Sequence, residues 1–407
     1  MKKTEGGVTA AKGFLASSAA AGIKYTGRDD MALIFSESDA VCAGTFTGNV
    51  VKAAPVQWDM KIVKGEGKAR AIVVNSGIAN AATGKAGMEA CEKTAGFAAD
   101  ALNIDRERVL LGSTGVIGMQ LPLDRIEKGV SHLAGSLDSS LDAGLRAERA
   151  IMTTDTRPKQ SAYSFEIDGV TVTVGGMSKG AGMIHPNMST MLCYITTDAD
   201  IDRELLQEAL SFVVKDTFNM LSVDGDTSTN DTCIIMANKA SGAGSITTRD
   251  SAYDAFYEAL LNVCTDLTVE MASDGEGATK LIEVVVRGAD TKENARILSR
   301  SVVSSNLTKA AVYGCDANWG RQICALGYSG VEFDPGRVDH YLESGDETLL
   351  IVKDGVDAGY DEKAAEKILS REHVRFIFDM NMGDKTATAY GCDLTYDYVK
   401  INADYRS

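Results

Sequence analysis

The sequence is poor in the residues that build metal centres and disulfide frameworks. Its 407 residues include only four histidines, and none of its eight cysteines forms a C-x-x-C pair. Most cysteines lie in apolar stretches such as TCIIMA and MLCYI, which indicates free buried thiols in a reducing compartment. Because zinc-type ligand spacing is also absent, we expect no metal site.

The chain also lacks an excess of positive charge and any long apolar run. Its net charge is −16, whereas proteins that bind nucleic acid or anionic membranes present basic surfaces. No stretch approaches about eighteen consecutive apolar residues, so a helical membrane span is not expected. Thr4, Glu5 and Lys12 interrupt the N-terminal segment, which therefore does not resemble an export signal. We expect a cytoplasmic protein with no nucleic-acid or membrane partner.

Apolar β-branched runs and helical patterns alternate along the chain and predict a mixed α/β fold. Strands are predicted at residues 69–77, 108–118, 164–176, 190–198, 281–288, 348–355, 374–381 and 387–407, of which 164–176 is a hairpin turning at Asp168-Gly169. Helices are predicted at residues 81–102, 202–221 and 291–314, the last with a break. None of the five prolines marks a linker, so we expect tightly packed units with a boundary near residue 285.

Two glycine- and aspartate-rich motifs fail the tests for nucleotide and calcium loops. Around Gly84-Lys85 of AATGKAG, Ala79 stands where a Walker loop needs its first glycine, and Ala86 stands where it needs Ser or Thr. In DGDTSTNDT, Thr229 replaces the invariant glycine of a calcium loop, and Ile235 replaces its bidentate Glu. A structural turn network is the simpler interpretation of the second motif, with support of a substrate site as the alternative.

The segment KGAGMIHPNMSTML joins a glycine-rich turn to a predicted buried strand and carries adjacent hydroxyls at Ser189 and Thr190. A threonine becomes a nucleophile with its own base when chain cleavage makes it an N-terminus, because the free α-amino group can take the hydroxyl proton. A strained loop before a rigid strand suits such self-cleavage. The alternative is an ordinary turn-to-strand pair. His185 is a second candidate base, although no G-x-S-x-G elbow accompanies it.

The same segment closely resembles the signature of the ornithine acetyltransferase family, also called the glutamate N-acetyltransferase family, of arginine biosynthesis. The resemblance extends along nearly the whole chain through further motifs in family order. These are GGVTAAKGF, TFTGNVVKAAPV, VVNSGIANAATG, GSTGVIG, AIMTTDT, SVDGDTSTNDT, SDGEGATK, YGCDANWGR and YDYVKINADYRS.

The resemblance implies a fold and a reaction. The fold would be an αββα layered sandwich over residues 1–285, with a smaller α/β domain at 286–407 that closes the active site. The precursor would cleave itself between Ser189 and Thr190, giving an α chain of residues 1–189 and a β chain of residues 190–407. Thr190 would then carry an acetyl group from N2-acetylornithine to glutamate in a ping-pong reaction without a cofactor.

The resemblance also implies the site residues. Thr114 and Gly115 match the family's oxyanion hole, Lys179 and Glu276 its substrate-binding cation and anion, and Thr154, or its neighbour Thr153, its substrate-contacting threonine. Asn402 and Ser407 match contacts made by a strand-like C-terminus. An assembly of two α and two β chains is implied as well, whereas the use of acetyl-CoA as a second acetyl donor stays open.

The residue before the cleaved bond departs from the family pattern, since serine stands at 189 where alanine is usual. Cleavage between Met188 and Ser189 is therefore an alternative, although the register of MLCYITTD favours Thr190. Two other functions remain open at this point. One is a self-processing amidase or aminopeptidase of the same fold, and the other is a non-catalytic, acidic ligand-binding protein.

Overall fold

The structure is a computed structural model that describes residues 1–185 and 191–403. Contacts divide these residues into two units, each treated separately below. The first unit contains residues 1–180, 191–215 and 227–267, and the second contains residues 181–185, 216–226 and 268–403. The boundary predicted near residue 285 stays a prediction, and residue 285 lies inside the strand Leu281–Ala289.

The strands are, in chain order, β1 (Lys2–Thr4), β2 (Phe14–Ala19), β3 (Met31–Phe46), β4 (Lys68–Asn75), β5 (Val109–Ser113), β6 (Gln160–Ile167), β7 (Val170–Lys179), β8 (Leu192–Thr197), β9 (Leu221–Ser222), β10 (Thr232–Ala237), β11 (Leu281–Ala289), β12 (Asp339–Ser344), β13 (Glu347–Lys353), β14 (Val356–Asp357), β15 (His373–Asp379) and β16 (Lys385–Cys392). The α-helices are α1 (Ala54–Lys64), α2 (Gly84–Leu102), α3 (Leu123–Gly135), α4 (Leu141–Ile151), α5 (Arg203–Asp216), α6 (Ser251–Ser273), α7 (Lys292–Val303), α8 (Asn306–Tyr313), α9 (Trp319–Gly327), α10 (Glu362–Leu369) and α11 (Tyr396–Ala403).

The first unit contains a nine-stranded mixed sheet in the order β1-β6-β7-β8-β10-β3-β4-β5, with β2 paired to β3. The pairs β8–β10 and β4–β5 are parallel, and the other pairs are antiparallel. Strand β8 is buried along its whole length, as its unbroken apolar pattern predicts for a central strand. Side chains of β3, β4 and β5 form one hydrophobic core with those of α2, α3 and α4.

The second unit contains a seven-stranded sheet in the order β14-β13-β12-β15-β11-β16-β9. Helices α7 and α9 bury apolar side chains in its core, together with Val284, Phe376 and Ala389 of the sheet. Ser305 interrupts the predicted long helix here, because its hydroxyl accepts a hydrogen bond from Thr308 N and begins α8 anew. The predicted break within residues 291–314 is therefore confirmed.

The mixed α/β class is confirmed, and so is the hairpin of β6 and β7. Its turn residues Asp168 and Gly169 have φ angles of 51° and 79°, which is the left-handed pair that a two-residue hairpin turn requires. The Asp-Gly dipeptide predicted this turn because both residue types tolerate positive φ.

The prediction of a strand at the C-terminal end of the described chain is partly wrong. Residues 385–392 form β16, but Tyr396–Ala403 form the helix α11. The Thr395 hydroxyl accepts a hydrogen bond from Tyr398 N at 3.4 Å, and Asp397 adds an acidic side chain in the first turn. Both features favour the start of a helix over the β-propensity of the aromatic residues that follow.

Candidate active site

Lys179 is the centre of a polar cluster in the first unit. It is the last residue of β7, and it is only 5% exposed. Its ammonium donates hydrogen bonds to the hydroxyls of Thr153 at 2.8 Å and Thr114 at 3.3 Å. Three of the predicted site residues are therefore in direct contact, although they lie on three separate segments of the chain.

Thr114 and Gly115 lie on a tight loop at the end of β5. The Thr114 amide donates to the Asn75 carbonyl at 3.0 Å, and the Val116 amide donates to the Gly77 carbonyl at 3.1 Å. Gly115 has a φ of +126°, and a Cβ at this position would lie 2.3 Å from the Gly77 carbonyl carbon. Only glycine fits here, because the two backbone segments approach so closely.

A buried carboxylate, Asp155, organises the same cluster, and the sequence analysis did not identify it. Its Oδ1 accepts hydrogen bonds from Gly180 N at 2.7 Å and from Lys159 Nζ at 2.8 Å, and its Oδ2 accepts one from Thr153 N at 3.1 Å. Burial raises the pKa of Asp155, but the charges of Lys179 and Lys159 and these hydrogen bonds outweigh burial and hold it below its usual value. Asp155 is therefore ionised at neutral pH.

Asp231 belongs to the DGDTSTNDT motif and is also buried, with 1% of its surface exposed. Burial raises the pKa of its carboxyl well above the usual value, although hydrogen bonds from Ser228, Thr47 and the backbone of Met191 act in the opposite direction. The motif is thus a turn network, as its residue types indicate, and it also places a carboxyl group beside the residue that follows Thr190.

The second unit holds another pair of predicted site residues in direct contact. Glu276 is 6% exposed, and its Oε2 accepts a hydrogen bond from Asn402 Nδ2 at 2.6 Å. Its backbone amide donates to the Ala181 carbonyl at 2.9 Å. A Cβ on Gly182 would lie 2.3 Å from Glu276 Oε2. The absence of a side chain at Gly182 therefore makes room for the Glu276 carboxylate.

His185, the candidate base, is a half-buried residue of the second unit. Its Nδ1 lies 3.0 Å from Ser222 Oγ. Burial and the nearby Arg300 lower its pKa to about 4. The imidazole is therefore neutral at pH 7, and this alone does not define a catalytic role.

The remaining predicted residues divide into two groups. The Thr154 hydroxyl oxygen is buried and has no hydrogen-bond partner among the described residues, so of the two neighbouring threonines it is Thr153 that contacts Lys179. Ser189, Thr190 and Ser407 lie outside the described residues, and so does the bond between Met188 and Ser189.

No group of His, Cys, Asp and Glu side chains in residues 1–185 and 191–403 has the arrangement of a metal site. Within the same part of the chain, no helix is both long enough and apolar enough to cross a membrane.

The fold and the site define a mixed α/β protein that buries a lysine against two threonine hydroxyls. The model of the ArgJ family matches residues 15–407. The arginine biosynthesis bifunctional protein ArgJ of Symbiobacterium thermophilum is 50% identical to the chain over 412 residues, covering 100% of both. The glutamate N-acetyltransferase of Methanocaldococcus jannaschii is 46% identical over 411 residues, again covering 100% of both.

Two solved structures are also similar in sequence. The ArgJ protein of Bacillus halodurans is 44% identical with a TM-score of 0.49, covering 52% of this chain and 97% of that one. The ornithine acetyltransferase of Mycobacterium tuberculosis, solved with ornithine, is 42% identical with a TM-score of 0.43, covering 46% of this chain and 99% of that one.

The chain belongs to the ArgJ family, since the family model and full-length relatives near 50% identity both match it. The resemblance inferred from the motifs is therefore confirmed, and with it the prediction that the protein is an acyltransferase.

Proposed function

We propose that this enzyme transfers the acetyl group of N2-acetylornithine to glutamate, giving ornithine and N-acetylglutamate. Membership of the ArgJ family supports the reaction, because relatives that match the whole chain are named for glutamate N-acetylation and for arginine biosynthesis. The structural observation that carries the proposal is the contact of the buried Lys179 ammonium with the hydroxyls of Thr153 and Thr114.

The nucleophile is Thr190, released as an N-terminus when the precursor cleaves itself after Ser189. Its α-amino group, with an ordinary pKa of about 7.7–8.0, accepts the hydroxyl proton near neutral pH. The hydroxyl oxygen then attacks the acetyl carbonyl of acetylornithine. The C–N bond breaks, ornithine leaves with the proton, and the acetyl group stays on Thr190 as an ester.

In the second half of the reaction, the glutamate amine attacks the ester carbonyl, and the C–O bond to Thr190 breaks. The α-amino group takes the proton that the attacking amine loses and returns it to the threonine oxygen, so N-acetylglutamate leaves and the hydroxyl is restored. Both halves pass through a tetrahedral oxyanion, which Thr114 and Gly115 stabilise. The backbone hydrogen bonds between this loop and residues 75–77 hold the donors in place before the reaction, as electrostatic preorganisation requires. Because the threonine supplies both nucleophile and base, the scheme needs no cofactor.

The substrates carry carboxylate and ammonium groups, so oppositely charged side chains are needed to bind them. Lys179, supported by Thr153, binds a substrate carboxylate, and Glu276, held by Asn402, binds a substrate ammonium. Thr154 and Ser407 are further substrate contacts in this scheme. The cleaved α and β chains assemble as α2β2. Acetyl-CoA would be a second acetyl donor if the enzyme is bifunctional, the word used in the name of the Symbiobacterium thermophilum relative.

A gel and an acetyl-transfer assay test the proposal together. We expect the purified protein to run as two fragments of similar size, and Thr190→Ala to run as one chain without transfer activity. The assay follows ornithine release from acetylornithine with and without glutamate. Release that does not depend on glutamate would indicate an amidase instead, and an active, uncleaved Thr190→Ala would refute the scheme. Sequencing the N-terminus of the second fragment distinguishes cleavage before Thr190 from cleavage before Ser189.

A further inference from the structure

A second lysine, Lys159, lies buried in the same cluster as Lys179. Lys159 is 1% exposed, and the side chains of Lys159 and Asp155 are both fully inaccessible to solvent. Their charged atoms are 2.8 Å apart. A fully buried ion pair is rarely a gain in stability over apolar residues, because each charge loses its hydration. The pair therefore calls for a functional explanation.

The two carboxylate oxygens of Asp155 lie at different distances from the two lysines. Lys159 Nζ lies 2.8 Å from Oδ1, whereas Lys179 Nζ lies 3.9 Å from Oδ2. Lys159 donates a hydrogen bond to Asp155, whereas the longer contact of Asp155 with Lys179 is electrostatic only, and the charges of both lysines act on the carboxylate. Lys179 instead directs hydrogen bonds to the hydroxyls of Thr153 and Thr114.

The charges of Asp155, Lys159 and Lys179 determine how strongly this cluster attracts a substrate carboxylate. If Lys179 were the only cation beside Asp155, the two would form a neutral pair, and Lys179 would attract a substrate carboxylate weakly. With Lys159 included, Asp155, Lys159 and Lys179 together carry one positive charge in a buried environment. Electrostatic interactions are stronger there than in water, so this charge favours a bound anion.

We infer that Asp155 and Lys159 are positioning residues for the acyl-transfer site. Asp155 fixes Lys179 together with the backbone of Thr153 and Gly180, and Lys159 supplies the counter-charge that keeps Asp155 from neutralising Lys179. This inference rests on the proposed function, because it takes the substrate to be an amino acid whose carboxylate binds at Lys179.

The test compares two ligands that differ only in that carboxylate, ornithine and 1,4-diaminobutane. Calorimetric titration of the purified enzyme gives the ratio of their dissociation constants, which measures discrimination in favour of the carboxylate. We expect Lys159→Met to lower this ratio by about tenfold, the size expected for weakening one charged hydrogen bond. Lys239→Met is the matched control, because Lys239 forms a 2.7 Å ion pair with Asp200 but is exposed.

A double variant separates the charge argument from a merely structural role. In Asp155→Asn with Lys159→Met, the carboxylate 3.9 Å from Lys179 is removed together with its counter-charge, so the cluster carries one positive charge, as in the wild type. We therefore expect the double variant to regain discrimination relative to Lys159→Met. A structural role predicts the opposite, because two changes in a buried cluster should disturb the site more than one. Thermal unfolding checks that each variant is folded, and Lys159→Gln replaces Lys159→Met if the latter is not.

The outcomes also separate this inference from the proposed reaction. Unchanged discrimination in folded Lys159→Met, no discrimination in the wild type, or a double variant worse than the single one would each overturn the inference. Acetyl transfer by the wild type is measured in parallel. If ornithine binds with the expected charge dependence but no transfer to glutamate occurs, the proposed reaction fails and the inference stands.

Discussion

The Lys179 ammonium donates a 2.8 Å hydrogen bond to the Thr153 hydroxyl, which joins the end of β7 to the loop after α4. Both residues are proposed to meet the substrate, so the hydroxyl serves to orient the ammonium. We expect Thr153→Val to lower kcat/KM for acetylornithine by about tenfold or more, since a hydrogen bond to a charged group is lost. Thr153→Ser, which keeps the hydroxyl, should retain most of the activity in a steady-state assay.

A parallel Thr154→Val variant decides which of the two threonines matters more. We expect it to lose less activity than Thr153→Val, because only Thr153 contacts Lys179. Equal or larger losses in Thr154→Val would contradict the assignment.

The loop of Thr114 and Gly115 gives a second prediction. In Gly115→Ala the new methyl group would overlap the Gly77 carbonyl, so the loop must move and an oxyanion donor is misplaced. We expect kcat to fall by about 10²–10³. Gly118→Ala is the matched control, because Gly118 also has a positive φ, +89°, but has no atom within 4 Å of the added Cβ. A similar loss of kcat in both variants would show that backbone strain is responsible, not the displaced donor.

Gly182 gives a prediction that separates binding from stability. A methyl group at this position would lie 2.3 Å from Glu276 Oε2, and the flexible end of the glutamate side chain can move away at little cost to the fold. We expect Gly182→Ala to raise KM for the amino-acid substrates by about tenfold, with an unchanged melting temperature. Gly96→Ala on α2, where nothing lies within 4 Å of the added Cβ, should leave KM unaltered.

The low pKa of His185 predicts which group controls the pH dependence of the rate. Since burial and Arg300 lower the pKa of His185 to about 4, this histidine does not change charge between pH 6 and pH 9. The acidic limb of the kcat/KM profile should instead follow the Thr190 α-amino group, whose ordinary pKa is about 7.7–8.0. We expect His185→Gln to keep the midpoint of that limb. Loss of the limb in His185→Gln would identify His185 as the base.

The buried carboxyl group of Asp59 gives a prediction about stability. Burial raises its pKa well above the usual value, despite a hydrogen bond from Leu111 N. Above the unfolded-state pKa of about 3.9, the folded protein retains a proton that the unfolded chain has lost, so this group lowers stability as pH rises towards the folded-state pKa. Asp59→Asn has no such proton to lose. Its melting temperature should therefore decline less between pH 5 and pH 8 than that of the wild type.

The exposed Asp100→Asn is the control for this experiment and should show the wild-type pH dependence at the same protein concentration. A decline in Asp59→Asn as large as that of the wild type would mean that Asp59 does not link folding to pH.

Much of the fold could be predicted from local pattern. The Asp168-Gly169 turn, the fully buried β8 and the break before α8 each follow from residue types at adjacent positions. The helix α11 could not, because its aromatic and β-branched residues favour a strand, and only the cap at Thr395 and the acidic Asp397 in the first turn favour a helix. Local propensity is a weak guide where capping decides the outcome.

The candidate site was also predicted only in part, because local sequence pattern does not show which charged residues are buried. Thr114, Thr153, Lys179, Glu276 and Asn402 were identified by motif resemblance, and the structure brings them into two groups in direct contact. Asp155 and Lys159 were not identified, because an acidic and a basic residue four positions apart are typical of an exposed ion pair. Only the fold shows that both are buried beside Lys179.

The central claim is that Thr190, freed by cleavage, carries the acetyl group. The most direct measurement is the intact mass of each fragment after brief incubation with acetylornithine and no glutamate. We expect fragments of residues 1–189 and 190–407, the second heavier by one acetyl group that peptide mapping places on its N-terminal threonine, and we expect glutamate to remove it. A chain that stays whole, or an acetyl group on another residue, would contradict the account.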